Sequence, residues 1–140
     1  MAITGKCWDD LPDWHAVVDG YGLFREDRPT RRGGGVALYV REKLECIELC
    51  LGTDEEGVES LCVRIKGQAH IGNVIVGVHY RPPDQEEEVD EAFYKQLQAA
   101  SQSQALVLLG DFNHPDISWE DHTARHAQCR RFLQSIMITF

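Results

Sequence analysis

A chain of 140 residues is long enough for one folded domain and too short for two of ordinary size, so we expect a single domain over residues 1–140. Its 43% apolar residues suit a packed core, whereas no apolar run approaches the roughly 18 residues that a membrane helix needs. The formal charge of -9 argues against broad electrostatic capture of nucleic acid. It does not exclude a nuclease, because carboxylates that bind Mg²⁺ make a site locally acidic.

The cysteines and the N-terminus bear on the cellular compartment. Five cysteines are an odd number, and they form no C-x-x-C pair, so a disulfide framework is not expected. Cys46, Cys50 and Cys62 stand among apolar residues and are predicted to be small core side chains. Residues 1–10 carry no secretory signal. We therefore expect a nuclear or cytoplasmic protein, not a secreted one.

The first part of the chain has the pattern of β-strands. Alternating or continuous apolar runs bounded by turn residues predict strands over residues 21–26, 36–40, 45–51, 58–65 and 73–80. Their succession favours antiparallel neighbours joined by short turns. The last of these strands must end at Arg81, because Pro82 and Pro83 cannot donate hydrogen bonds to a sheet.

The second part predicts a helix, a strand and a helix. An apolar stripe at Val89, Phe93, Leu97 and Ala100 predicts a helix over residues 86–101. The run from Ala105 to Asp111 is apolar on both faces, so we expect a central strand that is covered on both sides. A final helix is expected from near residue 123. The sequence thus predicts an α/β fold.

The most informative polar residues lie at the end of that apolar strand. Asp111 and Asn113 are two positions apart, and in an extended strand such side chains share one face. Open α/β sheets place their chemistry at strand ends of this kind. We therefore expect a carboxylate and a carboxamide side by side, able to hold a metal-bound water and a phosphate oxygen together.

Two other groups of residues could form a specific ligand site or could be ordinary turn and surface residues. The three glycines at 33–35 could belong to a phosphate-binding loop, but no Gly-Lys-Ser/Thr follows, which favours an ordinary turn. His122, His126 and Cys129 have spacing similar to zinc ligands, yet no second pair stands at a finger-like distance. Exposed histidines are the simpler interpretation. His114 is expected near the mouth of the site.

Five segments in order carry a family resemblance: RRGGGVALYV (31–40), VGVHYRPPDQ (76–85), EAFYKQL (91–97), LVLLGDFNHPDISW (106–119) and RRFLQSI (130–136). Together they closely resemble the endonuclease domain of LINE-type, non-LTR retrotransposons, within the endonuclease/exonuclease/phosphatase superfamily. The resemblance runs from about Ile3 to Ile136. It implies a two-sheet α/β sandwich of the pancreatic-deoxyribonuclease type, here incomplete, with helices on the outside.

The resemblance also implies an activity and its residues. Members cleave phosphodiesters or phosphomonoesters with Mg²⁺, and Mn²⁺ is the expected substitute; in LINE elements the domain nicks DNA. Asp111 matches the carboxylate that orients or deprotonates the attacking water, and Asn113 the amide that contacts the scissile phosphate. Both are expected near the metal. Tyr80 matches a tyrosine beside the phosphate, whose hydroxyl suits donation to an oxyanion.

The chain departs from the family pattern at three places. Gly5 stands where the resemblance expects the glutamate that binds Mg²⁺. The family's leading strand would lie before Met1, and its Ser-Asp-His segment, which carries the catalytic histidine, would lie after Phe140. We therefore expect an endonuclease domain truncated at both ends and catalytically impaired, with weak metal binding. The alternative is a non-catalytic remnant that binds nucleic acid or a protein partner; a phosphatase for small substrates is less well supported.

Overall fold

The computed structural model describes residues 1–4, 17–26, 35–49, 57–102 and 105–140. In these ranges the chain forms seven strands and two helices: β1 (Ala2–Thr4), β2 (Tyr21–Glu26), β3 (Val36–Arg41), β4 (Cys46–Leu49), β5 (Glu59–Ile65), β6 (Val74–Tyr80), α1 (Glu87–Ser101), β7 (Ala105–Asp111) and α2 (Ala127–Thr139). The expected strands and helices are therefore present, and most of their bounds agree to within one or two residues.

The strands are divided between two sheets. One has three strands in the order β1-β3-β2, all antiparallel, and the other has four in the order β4-β5-β6-β7. In the second sheet β6 and β7 are parallel, because α1 carries the chain back between them. The expected run of antiparallel neighbours is correct for β4, β5 and β6. It is wrong for β3 and β4, which follow one another in sequence but belong to different sheets.

The four-stranded sheet is the middle of three layers. On one face, the buried side chains of Val36, Leu38 and Val40 in β3 pack against Leu61 and Val63 in β5. On the other face lie both helices, whose buried residues form a second cluster that includes Phe93, Leu97, Phe132 and Leu133. This arrangement confirms the expected two-sheet α/β sandwich with outer helices.

β7 departs from its expected environment. Among the described residues it pairs with β6 alone, and Val107 and Leu109 are 45% and 40% exposed. Leu106 and Leu108 pack on the helix layer, so one face is covered as expected. On the other face, three strands lie against four and leave the last one partly open. The prediction of a central strand was wrong, because apolarity reveals which faces avoid water but not how many strands lie beside them.

The last helix begins at Ala127 and not near residue 123. Ser118 and Thr123 form a two-way backbone bridge, with N···O distances of 2.9 and 3.2 Å, that keeps this segment in a turn. The carboxylate of Asp116 then accepts the backbone N–H groups of Arg125 and His126 just before the helix. Asp116 therefore holds the main chain of the two residues that precede α2.

The described cysteines are free thiols. Cys129 is buried, whereas Cys46 and Cys62 are half-buried in the four-stranded sheet; Cys50 lies outside the described residues. Burial raises the pKa of the Cys62 thiol to about 11, which makes it unreactive at neutral pH. Neither described helix combines the length and the apolar character required to cross a bilayer.

Candidate active site

Three polar residues form a row across neighbouring strands of the four-stranded sheet. Glu59 is the register partner of Tyr80 in the antiparallel pair, and Tyr80 is the partner of Asp111 in the parallel pair. Side chains of such partners lie side by side on one face, here the face turned toward the three-stranded sheet. Glu59 is buried, Tyr80 is half-buried and Asp111 is exposed. The row therefore leads from the core to solvent.

Asn113 lies in a turn after β7, and not in the strand as predicted. The strand ends at Asp111, and Asn113 has a φ of 45°, in the left-handed region that asparagine tolerates better than most residues. Its backbone N–H donates to Oδ1 of Asp111 at 3.2 Å. Asn113 therefore contacts Asp111 through its backbone in a tight turn, and not through the strand alternation that was expected.

The side chain of Asn113 has a fixed orientation. Its Nδ2 donates to the backbone carbonyl of Arg81 at 2.5 Å. This bond uses one of the two amide hydrogens and leaves the other, together with Oδ1, for a further partner. A half-buried amide that is held in this way is suited to hydrogen bonding with a phosphate oxygen.

Arg81 and Asp90 form a buried ion pair beside this turn, and both side chains are only 4% exposed. Nε and Nη2 of Arg81 donate to the two carboxylate oxygens of Asp90 at 2.8 and 2.9 Å. The backbone N–H of Arg81 donates to the carbonyl of Asp111 at 2.8 Å. The apolar stripe of α1 gives no sign that the neighbouring Asp90 is buried, so the pair was not predicted from the sequence.

Glu59 was also missed, although the sequence contains a signal for it. Glu59 falls at the same alternating positions as Leu61 and Val63, so strand periodicity assigns it to the core face. A carboxylate there must find hydrogen-bond donors, and Oε2 accepts the backbone N–H of Gly35 at 2.8 Å. This contact ties the start of β3 to the row described above.

The buried histidines serve packing. His79 is 1% exposed and stacks on Phe93 with ring centroids 3.6 Å apart; burial lowers its pKa to about 3. His114 is half-buried and stacks on Phe132 at 4.4 Å; burial lowers its pKa to about 4. Both rings are therefore neutral at pH 7. The sequence suggested that His114 lies at the mouth of the site. It packs in the helix layer instead.

The zinc interpretation receives no support. His122 is exposed, Nδ1 of His126 lies 3.2 Å from the carboxylate of Asp116, and Cys129 is buried in the helix layer. Over the described parts of the chain, no three His, Cys, Asp or Glu side chains come close enough together to hold a metal ion.

Asp111 is the exposed carboxylate at the strand ends that could contact a divalent cation. Mg²⁺ is commonly held by one or two carboxylates, and water and substrate phosphate complete its coordination. Asp111 supplies one exposed carboxylate, and its Oδ1 accepts the backbone N–H of Asn113, whose side-chain oxygen has no partner among the described residues. Glu59 is buried and accepts the N–H of Gly35 through Oε2. Gly5, where the resemblance expects a glutamate, lies outside the described residues.

Comparisons with known proteins agree with the fold and the resemblance. A solved structure described as the endonuclease domain of TRAS1, a telomere-specific non-LTR retrotransposon, is similar to this chain with a TM-score of 0.61 and 15% sequence identity. The alignment covers 88% of this chain and 54% of that one, so the chain spans about half of the solved domain. No curated protein sequence matches. The model of the endonuclease/exonuclease/phosphatase family matches residues 5–132, and the chain therefore belongs to that family.

Proposed function

We propose that this chain is a metal-dependent, phosphodiester-cleaving endonuclease domain of the retrotransposon type, which acts on DNA and is catalytically impaired. Membership of the endonuclease/exonuclease/phosphatase family supports phosphate-ester hydrolysis, and the similarity to the TRAS1 domain supports the retrotransposon type. The observation that carries the proposal is the joint position of three residues: Tyr80 beside Asp111 in the sheet, and Asn113 hydrogen-bonded to Asp111.

Each residue has a role that suits its chemistry. The carboxylate of Asp111 orients the attacking water and accepts its proton. The remaining amide hydrogen of Asn113 donates to a non-bridging phosphate oxygen, and the hydroxyl of Tyr80 donates to the charge that develops there. Asp111 and Asn113 would hold Mg²⁺ or Mn²⁺, and such an ion, when bound, neutralises phosphate charge.

The impairment follows from the shortage of carboxylates. Within the described residues, Asp111 is the exposed carboxylate of the proposed site, whereas Glu59 is buried and accepts the N–H of Gly35 through one of its two oxygens. Gly5 offers no side-chain oxygen at the position where the resemblance expects the second ligand. We therefore expect weak cation binding and no measurable nicking by the natural sequence.

Plasmid nicking and calorimetry test the proposal together. Supercoiled DNA with Mg²⁺ or Mn²⁺ is incubated with the natural chain, with Gly5→Glu and with Gly5→Glu/Asp111→Asn. We expect Gly5→Glu to bind Mg²⁺ at least about tenfold more tightly and to raise nicking to a weak but measurable level, because it restores one carboxylate ligand. Adding Asp111→Asn should reduce nicking at least about 100-fold, the usual effect of losing a general base.

Three results would contradict parts of this proposal. Robust nicking by the natural chain that Asp111→Asn abolishes would refute the impairment. An unchanged Mg²⁺ titration of Gly5→Glu would refute the place given to Gly5. Nicking by Gly5→Glu that survives Asp111→Asn would refute the role of Asp111.

A second candidate is a non-catalytic binding function, and the exposed apolar residues Val107 and Leu109 on β7 favour it. On this view the chain binds DNA or a protein partner without cleaving phosphate esters. A Gly5→Glu variant that binds Mg²⁺ tightly and still leaves the plasmid intact, while the natural chain retains a DNA oligonucleotide, would favour this candidate over the endonuclease.

A further inference from the structure

We propose that Arg81, held by Asp90 of α1, is a positioning residue that sets the side-chain amide of Asn113 and the main chain at Asp111. The inference rests on the function proposed above for Asn113 and Asp111. Arg81 and Asp90 are buried beside those residues, and neither is proposed to contact a substrate.

The geometry of the pair fixes orientation as well as distance. The guanidinium of Arg81 makes two parallel hydrogen bonds to Asp90, at 2.8 and 2.9 Å, and this two-pronged contact restricts rotation of both groups. Nε2 of Gln85 donates to the same carboxylate at 2.7 Å. Both charged side chains are 4% exposed, so water does not compete for these bonds.

Arg81 makes three contacts with the turn that contains Asp111 and Asn113. Its backbone N–H donates to the carbonyl of Asp111 at 2.8 Å, and its own carbonyl accepts Nδ2 of Asn113 at 2.5 Å. Nη1 also lies 3.5 Å from the carbonyl of Asn113. Both polar residues of the turn therefore contact Arg81.

The sequence around Arg81 explains why a side-chain contact, and not a further backbone hydrogen bond, holds the chain where it leaves the sheet. Pro82 and Pro83 lack backbone N–H groups, so the ladder between β6 and β7 cannot continue past this point. The chain leaves the sheet here on its way to α1. The ion pair between Arg81 and Asp90 joins the end of the strand to the first turn of that helix.

Stability alone is a poor explanation for the pair. Removing two charges from water has a large desolvation cost, and well-packed apolar residues often replace a buried ion pair without loss of stability. Apolar residues do not reproduce the directional hold on Arg81. Positioning and stability therefore make different predictions for a variant that replaces both charges at once.

The test compares two double variants that each remove one positive and one negative charge. Arg81→Met/Asp90→Leu removes the buried pair. Arg131→Met/Glu91→Leu is the matched control, because Arg131 and Glu91 form an exposed two-pronged pair, at 2.6 and 2.9 Å, between α1 and α2. The readout is the ¹H–¹⁵N NMR signal of the Asn113 side chain, assigned by its loss in Asn113→Asp.

We expect dispersed signals from the two amide hydrogens of Asn113 in the natural chain and in the control. In Arg81→Met/Asp90→Leu they should move to the position of a free asparagine and exchange with solvent at least about tenfold faster, while the methyl signals of the core stay dispersed. On the Gly5→Glu background the same variant should lower kcat about 100-fold with little change in KM, as misplacement of a reacting group does.

A folded Arg81→Met/Asp90→Leu variant with unaltered Asn113 signals would overturn the proposal, and so would an equal change in the control. If that variant does not fold, Arg81→Lys provides the same comparison, since lysine keeps the charge but cannot form the two-pronged contact. The NMR result does not depend on activity. Displaced Asn113 signals without nicking by Gly5→Glu would refute the endonuclease alone, whereas nicking with unaltered signals would refute positioning alone.

Discussion

Gly110 precedes the acid of the candidate site at a point where β6 and β7 run very close together. A Cβ at this position would lie 1.9 Å from the carbonyl oxygen of His79, far inside contact distance, and the φ of 153° is itself unfavourable for other residues. The glycine before Asp111 therefore has a packing reason that is independent of chemistry.

We expect Gly110→Ala to destabilise the fold by about 3 kcal/mol or more, because the strands must separate to admit the methyl group. Urea unfolding measures the effect. Gly72→Ala is the control: a Cβ there meets nothing within 4 Å, so stability should change by less than about 1 kcal/mol. Equal losses in the two variants would contradict this account of Gly110.

His79 should make stability depend on pH. Burial lowers its pKa to about 3, whereas an unfolded chain holds histidine near its ordinary value of about 6.5. Between these values the unfolded chain binds more protons than the folded one. The contribution of neutral His79 is therefore complete above about pH 6.5 and is lost as the pH falls toward 3.

The matching experiment is His79→Phe, which keeps a flat ring against Phe93 and removes the titrating group. Over about pH 4 to 6 the free energy of unfolding should fall less steeply than in the natural chain, by up to about 1.4 kcal/mol per pH unit. Urea unfolding at several pH values measures the slope, with the exposed His70→Gln as control. An identical slope in His79→Phe would show that another group is responsible.

At the scale of elements, local sequence patterns predicted where strands and helices begin and end better than they predicted what each element packs against. β2 and β7 begin and end where apolar alternation and the flanking polar residues indicate. The start of α2 was not predicted correctly, because residues 118–126 form a folded turn whose contacts with Asp116 cannot be seen in the helix pattern. Helix periodicity carries no information about such contacts.

β7 offers a comparison between adjacent residues on its two faces. Val107 is 45% exposed on the open face, whereas Leu108 packs on the helix layer. Val107→Lys should change the free energy of unfolding by less than about 1 kcal/mol and reduce self-association of the open strand. Leu108→Lys should cost about 2 kcal/mol or more, because it places a charge against the apolar residues of the helix layer. Thermal melting and light scattering measure both; similar melting losses would mean that Val107 is not open.

At the scale of the whole molecule, the resemblance predicted the layer arrangement correctly, because its motifs lie on β3, β6, α1, β7 and α2. The site was only partly predictable. Asp111 and Tyr80, which motif and strand position indicated, are register partners, whereas Asn113 contacts Asp111 through a turn that the sequence did not predict. The contacts of Arg81 with Asp90, and of Glu59 with Gly35, join residues whose partners only the three-dimensional fold determines.

The strand-helix-strand unit of β6, α1 and β7 contains nearly all of this chemistry. The phenol, the ion pair, the acid and the amide all fall between residues 80 and 113, so these residues lie in one continuous segment of the chain. A rearrangement of coding sequence that breaks outside that segment therefore transfers all of these residues together.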